Sequence, residues 1–133
     1  MEGAYPPFSF VTPEGELDGF DIDIAKALVK AAGAEIKLVS SDWDGIIPSL
    51  MSRKYDCIIA SLSITEERKK KFAFTNKYYH TAARFVGRKG LIKDYSKSSI
   101  KGKSVGVLRA TTHDTFLSDN YADDVTIKRY ATW

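Results

Sequence analysis

Apolar residues near the start of the chain recur with the spacing of a helix. Between residues 21 and 32 they form a single stripe, made of Ile22, Ala25, Leu28, Val29 and Ala32. Asp21 and Asp23 fall in the first turn, where carboxylates interact favourably with the helix dipole, and Gly33 follows as a stop signal. The pattern predicts a helix over residues 21–32.

Two shorter apolar segments, on either side of a second helical pattern, have the character of strands. Residues 35–39 alternate between apolar and polar positions with period two, and residues 56–60 are almost entirely apolar, as in a buried parallel strand. Between them, Ser41 or Asp42 can cap a helix over residues 43–52. The order predicts a strand, a helix and a second strand.

The second half of the chain continues this alternation. Its predicted elements, in order, are a short helix capped by Thr65, an extended segment at residues 78–86, a helical turn at 98–102, a strand at 104–108, a helix from 111 to about 120 and a strand at 125–130. Because strands alternate with helices, the sequence predicts an α/β fold with a largely parallel sheet.

The composition is that of a folded globular protein. With 133 residues, of which 44% are hydrophobic and 28% charged, the chain is long enough for about one domain with a buried core. It contains no apolar run near the roughly 18 residues of a membrane-spanning helix. The net charge of +3 is spread along the chain, and the densest basic run, residues 68–71, follows two glutamates, as on a solvated helix face. No nucleic-acid partner is therefore expected.

The single cysteine, Cys57, begins the apolar run 57–60 and cannot form an internal disulfide. Its neighbours predict a buried, unreactive thiol, which leaves the redox compartment undetermined. Residues 1–7 carry no basic and apolar leader, so no secretory signal is visible; a signal was either removed or never present.

Polar residues cluster in turns that follow the predicted strands and at the front of the chain. These turns, at residues 2–5, 61–65 and 110–113, are the expected place for a ligand because backbone amides at helix starts attract anions. Arg68 lies just past the Thr65 cap and could hold a carboxylate with a two-pronged contact worth about 1.5–3 kcal/mol. The alternative is a surface arginine paired with a neighbouring glutamate.

Two aromatic residues lie at the ends of elements instead of in the middle of an apolar stripe. Tyr5 precedes Pro6 and Pro7, which stiffen its backbone, and Trp43 begins the second predicted helix. Either ring can pack in a core or face a ligand. If both rings enclose a cationic or planar group, each contact contributes about 0.5–2 kcal/mol.

Residues suited to catalysis or metal binding do not form a recognised pattern. His80 and His113 have no cysteine or carboxylate at metal-ligand spacing, and neither Ser61 nor Ser63 lies in a Gly-x-Ser-x-Gly turn. The acidic pair at the start of the first helix points apart and is explained by helix electrostatics. No enzymatic activity, metal or cofactor is expected.

Five ordered blocks of the sequence resemble a known family. They are residues 4–8 (AYPPF), 19–24 (GFDIDI), 43–50 (WDGIIPSL), 61–68 (SLSITEER) and 102–108 (GKSVGVL). They are similar to the polar amino-acid solute-binding proteins of ABC importers, in particular the lysine/arginine/ornithine and histidine binders. The resemblance implies type II periplasmic-binding-protein lobes with a mostly parallel sheet, capture of a free amino acid by lobe closure, an importer permease as partner, no cofactor, and a periplasmic or extracellular location.

The same resemblance implies how the α-carboxylate and α-ammonium of an amino acid would be bound. Arg68 would clamp the carboxylate, helped by backbone N–H groups around Thr111 and Thr112. Ser61 and Ser63 would accept hydrogen bonds from the ammonium group or line the pocket.

For the side chain of the ligand, the resemblance implies a sandwich between Tyr5 and Trp43. Glu2 lies where the basic-amino-acid binders carry an acid that meets the distal cation. This favours lysine, arginine or ornithine, because a carboxylate facing a neutral side chain would be left unpaired. Ala60 and Leu108 complete the implied lining.

The chain is shorter than members of this family. It begins after the place of the family's first strand, so residues 1–86 are expected to form a first lobe without that strand, and residues 87–133 part of a second lobe, with a hinge near residues 84–89. Ala110 stands where close relatives carry glycine. We expect a fold that is incomplete relative to the family and that a second copy completes by strand exchange or pairing.

Two other functions remain open. Cyclohexadienyl dehydratases share this fold and similar blocks, and they act on prephenate-like acids; Glu2 is the one candidate acid for such a reaction. The chain could instead be a sensor module or a remnant without a transport role. Neither the particular amino acid nor the oligomeric state follows from the sequence.

Overall fold

The computed structural model describes residues 1–91 and 94–132. Within these ranges the helices are α1 (Phe20–Ala32), α2 (Trp43–Met51), α3 (Glu66–Lys69), α4 (Lys97–Ile100) and α5 (Thr112–Tyr121), and the strands are β1 (Ala4–Tyr5), β2 (Ser9–Val11), β3 (Leu17–Asp18), β4 (Ser104–Leu108) and β5 (Thr126–Tyr130). Met1–Ser63 belong to one compact unit and Ile64–Ala131 to another. None of the described helices has the length and apolar character required to cross a membrane.

The strands form two sheets, one in each unit. In the first unit β1, β2 and β3 form an antiparallel meander, and in the second unit β4 pairs with β5 in parallel. The α/β class and the parallel pair are confirmed, and the predicted strand at 104–108 coincides with β4. The antiparallel meander was not predicted, because strands of two or three residues are too short to show a period.

The meander is fastened to the start of α1. The amide of Phe20 donates to the Pro7 carbonyl at 3.1 Å, and the amide of Asp21 donates to the Phe8 carbonyl at 2.8 Å. These two donors would otherwise lack partners in the first turn of the helix. The turn that follows Tyr5 is therefore held in place by α1, the helix that the sequence predicted over residues 21–32.

Gly19, immediately before α1, is required by this arrangement, and its replacement by alanine is expected to destabilise the first unit by about 1–3 kcal/mol. Its φ of 121° is rarely adopted by other residues, and a Cβ would lie 2.6 Å from the Phe8 carbonyl oxygen. Gly15→Ala is the matched control, because Gly15 also has a positive φ but nothing lies within 4 Å of its Cβ position. Thermal unfolding of both variants checks this; equal losses would contradict the role of the close approach.

The core of the first unit is formed on the buried side of α1. Ile22 and Ala25 are buried together with Met1, and half-buried apolar side chains, Leu17, Leu38 and Ile59, pack against them. Leu28, in the predicted apolar stripe, is instead 55% exposed. The N-terminal half of α1 therefore anchors the unit, and its C-terminal half contributes little to the core.

The predicted strands at residues 35–39 and 56–60 are not strands in the structure. A strand is defined by a ladder of backbone hydrogen bonds to a neighbouring strand. In the described part of the chain, such hydrogen bonds occur only near the end of the first segment: Met1 N donates to the Val39 carbonyl at 2.7 Å, and Ser41 N donates to the Met1 carbonyl at 2.9 Å. Leu38 and Ile59 from these segments pack against the core, whereas Ile36 is 40% exposed. The apolar pattern carries no information on whether a neighbouring strand is present.

Cys57 is exposed, so the prediction of a buried thiol was wrong. Its neighbours Ile58 and Ile59 are only half-buried, and the segment is not enclosed between layers as a central strand would be. An apolar run therefore did not guarantee burial of each of its members.

The second unit is built on a strand–helix–strand arrangement. β4 and β5 pair over five residues from Ser104↔Thr126 to Leu108↔Tyr130, and α5 connects them. The buried residues of this unit lie in β4, in the helices α4 and α5, and directly before β5: Val107, Leu108, Ile100, Leu117 and Val125. Arg129 Nε contacts Asp114 Oδ1 at 2.8 Å and so joins β5 to the first turn of α5.

Candidate functional site

The predicted ligand residues divide between the two units, and each set is described within its own unit. The first unit contains Glu2, Tyr5, Trp43, Ala60, Ser61 and Ser63; the second contains Arg68, Leu108, Thr111 and Thr112. All ten lie in loops, at strand ends or at helix starts, with Arg68 inside the one-turn helix α3. This is the placement expected of residues that a scaffold presents to a ligand.

Glu2 is a buried acidic residue two positions before β1, the first strand of the meander. Only 5% of it is exposed. Loss of hydration raises the pKa of its carboxyl group, the nearby Asp42 carboxylate raises that pKa further, and the amino group of Met1 partly opposes the rise. Ser9 Oγ donates to the backbone carbonyl of Glu2, which fixes the main chain at this point. The site thus holds a carboxyl group whose charged form a nearby cation would stabilise.

Tyr5, at the end of β1, belongs to an aromatic cluster. Its ring stacks on Phe8 with centroids 5.1 Å apart and planes inclined by 16°. Phe8 in turn meets Phe20 edge to face, with centroids 6.0 Å apart. The Tyr5 ring is half-buried and its orientation is supported from one side by this cluster.

Trp43 is half-buried and is the first residue of α2. The helix is anchored by Ile46, which is 1% exposed and whose carbonyl accepts a hydrogen bond from the Tyr55 hydroxyl. Asp42 precedes the helix in an extended conformation. Trp43 is therefore positioned at a helix start by contacts that lie one turn further along.

Ser61 lies in a loop with an unusual backbone conformation. Its φ is 50°, in the left-handed region that non-glycine residues seldom adopt. Its hydroxyl lies 3.0 Å from Asp21 Oδ2 and 3.3 Å from Oδ1. Before it in the chain Ala60 is buried, and after it Ser63 is exposed. The sequence assigned Asp21 only to helix electrostatics and missed this contact, because a separation of 40 residues leaves no local signal.

Arg68 lies in α3, whose N-cap is Thr65 as predicted. Thr65 Oγ1 accepts from the Arg68 amide at 3.2 Å. The Arg68 side chain is half-buried; this burial lowers the pKa of its guanidinium group, and the Glu67 carboxylate partly restores it. Glu66, the other glutamate considered as a partner, instead contacts Lys69 Nζ at 2.8 Å.

Leu108, Thr111 and Thr112 form the junction between β4 and α5. The Thr111 hydroxyl donates to the Leu108 carbonyl at 2.7 Å and accepts from the Asp114 amide at 3.2 Å, so it caps the helix as predicted. Ala110 has a φ of 57°, which glycine would adopt without a steric penalty. The junction presents the amide groups of the first turn of a ten-residue helix, a favourable setting for an anion.

No group of three or more histidine, cysteine, aspartate or glutamate side chains that could hold a metal ion occurs among residues 1–91 and 94–132. The first unit offers a buried acid, aromatic rings and hydroxyl groups, and the second offers an arginine and a helix start. Within each unit, such groups can bind charged or polar parts of a small molecule by hydrogen bonds and charge pairing.

Comparison with known proteins identifies the family. Residues 1–122 match the bacterial extracellular solute-binding proteins, family 3. The chain belongs to this family, as the five sequence blocks predicted.

Two curated relatives illustrate the similarity. The chain is 49% identical over 118 residues to the L-arginine-binding protein of Pseudomonas aeruginosa, covering 89% of this chain and 46% of that protein. It is 44% identical over 118 residues to the histidine-binding periplasmic protein of Salmonella typhimurium, covering 89% of this chain and 45% of that protein. The chain thus spans about half the length of the curated relatives it matches.

Solved structures agree with the fold. An ancestral arginine-binding protein bound to arginine has a TM-score of 0.90 and 39% identity, covering 98% of this chain and 58% of that one. An ancestral amino acid-binding protein, described as a precursor of cyclohexadienyl dehydratase, has a TM-score of 0.85 and 34% identity, with 98% and 59% coverage. The similarity includes both binding proteins and the lineage of an enzyme.

Proposed function

We propose that the chain is part of a solute-binding protein that captures a free basic amino acid, arginine, lysine or ornithine, for an ABC importer. The burial of Glu2 carries the proposal. A carboxylate that is 5% exposed is unfavourable unless a cation neutralises it, and a cationic ligand side chain supplies such a charge. The names of the arginine- and histidine-binding relatives support the same class of ligand.

The proposed roles of the other residues follow from their settings. In the first unit, Tyr5 and Trp43 enclose the ligand side chain, Ser61 and Ser63 meet the α-ammonium group, and Ala60 lines the pocket. In the second unit, Arg68 binds the α-carboxylate together with the amides near Thr111 and Thr112, and Leu108 completes the lining. The half-buried guanidinium group of Arg68 and the capped start of α5 support this division.

We also propose how the chain is organised into lobes and where it acts. Residues 1–86 form a first binding lobe and residues 87–133 part of a second, and the lobes close on the ligand by a hinge near residues 84–89. This proposed lobe boundary differs from the boundary between the compact units, which lies after Ser63. A second copy of the chain completes, by strand exchange or strand pairing, the fold that is incomplete relative to the family. The periplasmic relative and the extracellular family support a periplasmic or extracellular site of action beside an importer permease.

Calorimetric titration with arginine, lysine, histidine and glutamine tests the function, with the mass in solution measured on the same sample. We expect a cationic amino acid to bind most tightly and the mass to be that of more than one copy. Failure of all four amino acids to bind would contradict the proposed function. A compact monomer at every concentration would contradict the completion by a second copy.

A second candidate is a dehydratase acting on prephenate-like acids. It is favoured by the structural likeness to the precursor of cyclohexadienyl dehydratase and by the raised pKa of Glu2, since a general acid must hold a proton. The relatives compared above are named as binding proteins, and we propose that this chain is likewise not an enzyme. Prephenate turnover that disappears in Glu2→Gln would reverse this conclusion.

A further inference from the structure

Asp114 and Arg129 form an ion pair at the junction between β4 and α5. Arg129 Nε lies 2.8 Å from Asp114 Oδ1, and Arg129 Nη2 donates to the Ser118 hydroxyl at 2.8 Å. The other carboxylate oxygen of Asp114, Oδ2, accepts from the Ala110 amide at 3.3 Å. One carboxylate thus joins β5, where Arg129 lies, to the loop that precedes α5.

The Asp114 carboxylate lies beside the amides at the start of α5. Asp114 is the third residue of that helix, and its own amide donates to the Thr111 hydroxyl at 3.2 Å. Its side chain is only 13% exposed, so salt and water screen its charge weakly. A negative charge is favourable at a helix start, but it also repels a second anion that approaches the same amides. Asp114 alone would therefore oppose the binding of a carboxylate at this junction.

Arg129 offsets this negative charge. Its positive guanidinium group is held by two hydrogen bonds, one to Asp114 and one to Ser118. The backbone of Arg129 is held in turn by the parallel pair of strands, in which it lies opposite Val107. The ion pair as a whole is neutral, so the Asp114 carboxylate no longer cancels the positive end of the helix dipole. The amides at the start of α5 then remain favourable for an anion.

We propose that Arg129 is a positioning residue that neutralises Asp114 and so keeps the start of α5 open to a carboxylate. This inference rests on the proposed function, which places the ligand α-carboxylate at the amides near Thr111 and Thr112. Arg129 acts through Asp114 and needs no contact with the ligand. Without Arg129, the uncompensated carboxylate of Asp114 repels the carboxylate of the ligand.

Calorimetry with arginine compares variants that change this charge. Arg129→Gln should weaken binding by about three- to tenfold, which is the effect of one uncompensated charge beside a helix start. Lys128→Gln is the matched control, because it removes the same charge from an exposed neighbour whose side chain points to the opposite face of β5. Its affinity should equal that of the wild type. An equal loss in both variants would mean that only the net charge of the chain matters, and would overturn the inference.

Rescue by a second substitution separates the effect of charge from general loosening of the unit. Asp114→Asn removes the negative charge but keeps an acceptor for the Ala110 amide. The double variant of Asp114→Asn and Arg129→Gln should therefore bind arginine within about twofold of the wild type. The loss in Arg129→Gln alone should shrink as the salt concentration is raised. If the ion pair only fastens β5 to α5, the double variant binds no better than Arg129→Gln, and the inference fails.

Asp114→Asn alone carries the test if Arg129→Gln does not fold. It leaves the guanidinium group of Arg129 without its opposing charge, so the start of α5 becomes more favourable for an anion. This variant should bind arginine at least as tightly as the wild type does. Weaker binding in a folded Asp114→Asn would show that the carboxylate itself supports the ligand, and would contradict the inference.

Acetate keeps this inference distinct from the proposed function, because it carries a carboxylate without an amino group or a distal cation. Titrated into the wild type, acetate should shift the backbone amide resonances of residues 111–113. A higher acetate concentration should be needed in Arg129→Gln but not in Lys128→Gln. Failure of arginine to bind while acetate behaves in this way would contradict the proposed function alone. Equal acetate affinities in the wild type and Arg129→Gln, or no shift in the wild type, would overturn the inference.

Discussion

Replacing Arg68 with alanine is expected to lower the affinity for arginine by about 100-fold or more while leaving the second unit folded. The guanidinium group is half-buried, and its lowered pKa reports the loss of hydration that a bound carboxylate would compensate. Removing one partner of such a charge pair leaves the ligand carboxylate unpaired, a loss of about 2–5 kcal/mol in comparable complexes. The α3 cap uses the Arg68 amide and survives the substitution.

Titration calorimetry and thermal unfolding of the same variant check this result. Lys69→Ala is the matched control: Lys69 lies in the same helix, and its exposed pair with Glu66 contributes only about 0–1 kcal/mol. It should bind arginine as the wild type does. A large loss of stability in Arg68→Ala with binding retained would mean that Arg68 belongs to the scaffold and not to the site.

Glu2→Gln is expected to weaken arginine binding by roughly 10- to 100-fold, which is the effect of removing one charge-assisted hydrogen bond. The affinity for the neutral analogue citrulline should fall much less in Glu2→Gln, because citrulline carries no distal cation for Glu2 to pair with. The preference for arginine over citrulline is therefore the quantity to measure, by titration of both ligands. Glu14→Gln, which changes an exposed carboxylate in the same unit, should leave the preference unchanged.

The same substitution is expected to stabilise the ligand-free protein at neutral pH. Because the pKa of Glu2 is raised in the folded state, the folded protein binds its proton more tightly than the unfolded chain does. The wild type therefore loses stability as the pH rises from the ordinary glutamate value through the raised one. Glutamine does not titrate, so Glu2→Gln escapes this loss. Melting temperatures at acidic and neutral pH measure it, and a variant that melts lower than the wild type at neutral pH would contradict the burial argument.

Long periodic segments were predictable because their pattern determines which face is buried. The helix predicted over 21–32 is α1, and the strand predicted at 104–108 is β4. The caps at Thr65 and Thr111 were predictable because a threonine before a helix accepts from an amide three residues later, as it does in both places.

Contacts that join distant parts of the chain were not predictable. Residues 35–39 and 56–60 have strand-like patterns, but a ladder depends on a partner that a local pattern does not reveal. The pairing of Asp21 with Ser61 likewise depends on how the loop after residue 60 returns to α1. The family resemblance pointed to Ser61 as a ligand residue, and only the fold placed a buried carboxylate behind it.

Ser61 and Ala110, one in each unit, both carry a side chain at a positive φ, 50° and 57° respectively. Glycine in either place would reach this conformation without strain but would also sample many others in the unfolded chain and in the loop. A residue with a Cβ has fewer alternatives, so once the surrounding contacts enforce the left-handed conformation, the loop is preorganised. These loops lose their conformational entropy when the chain folds. Less conformational entropy is therefore lost when a ligand binds, and the ligand binds more tightly.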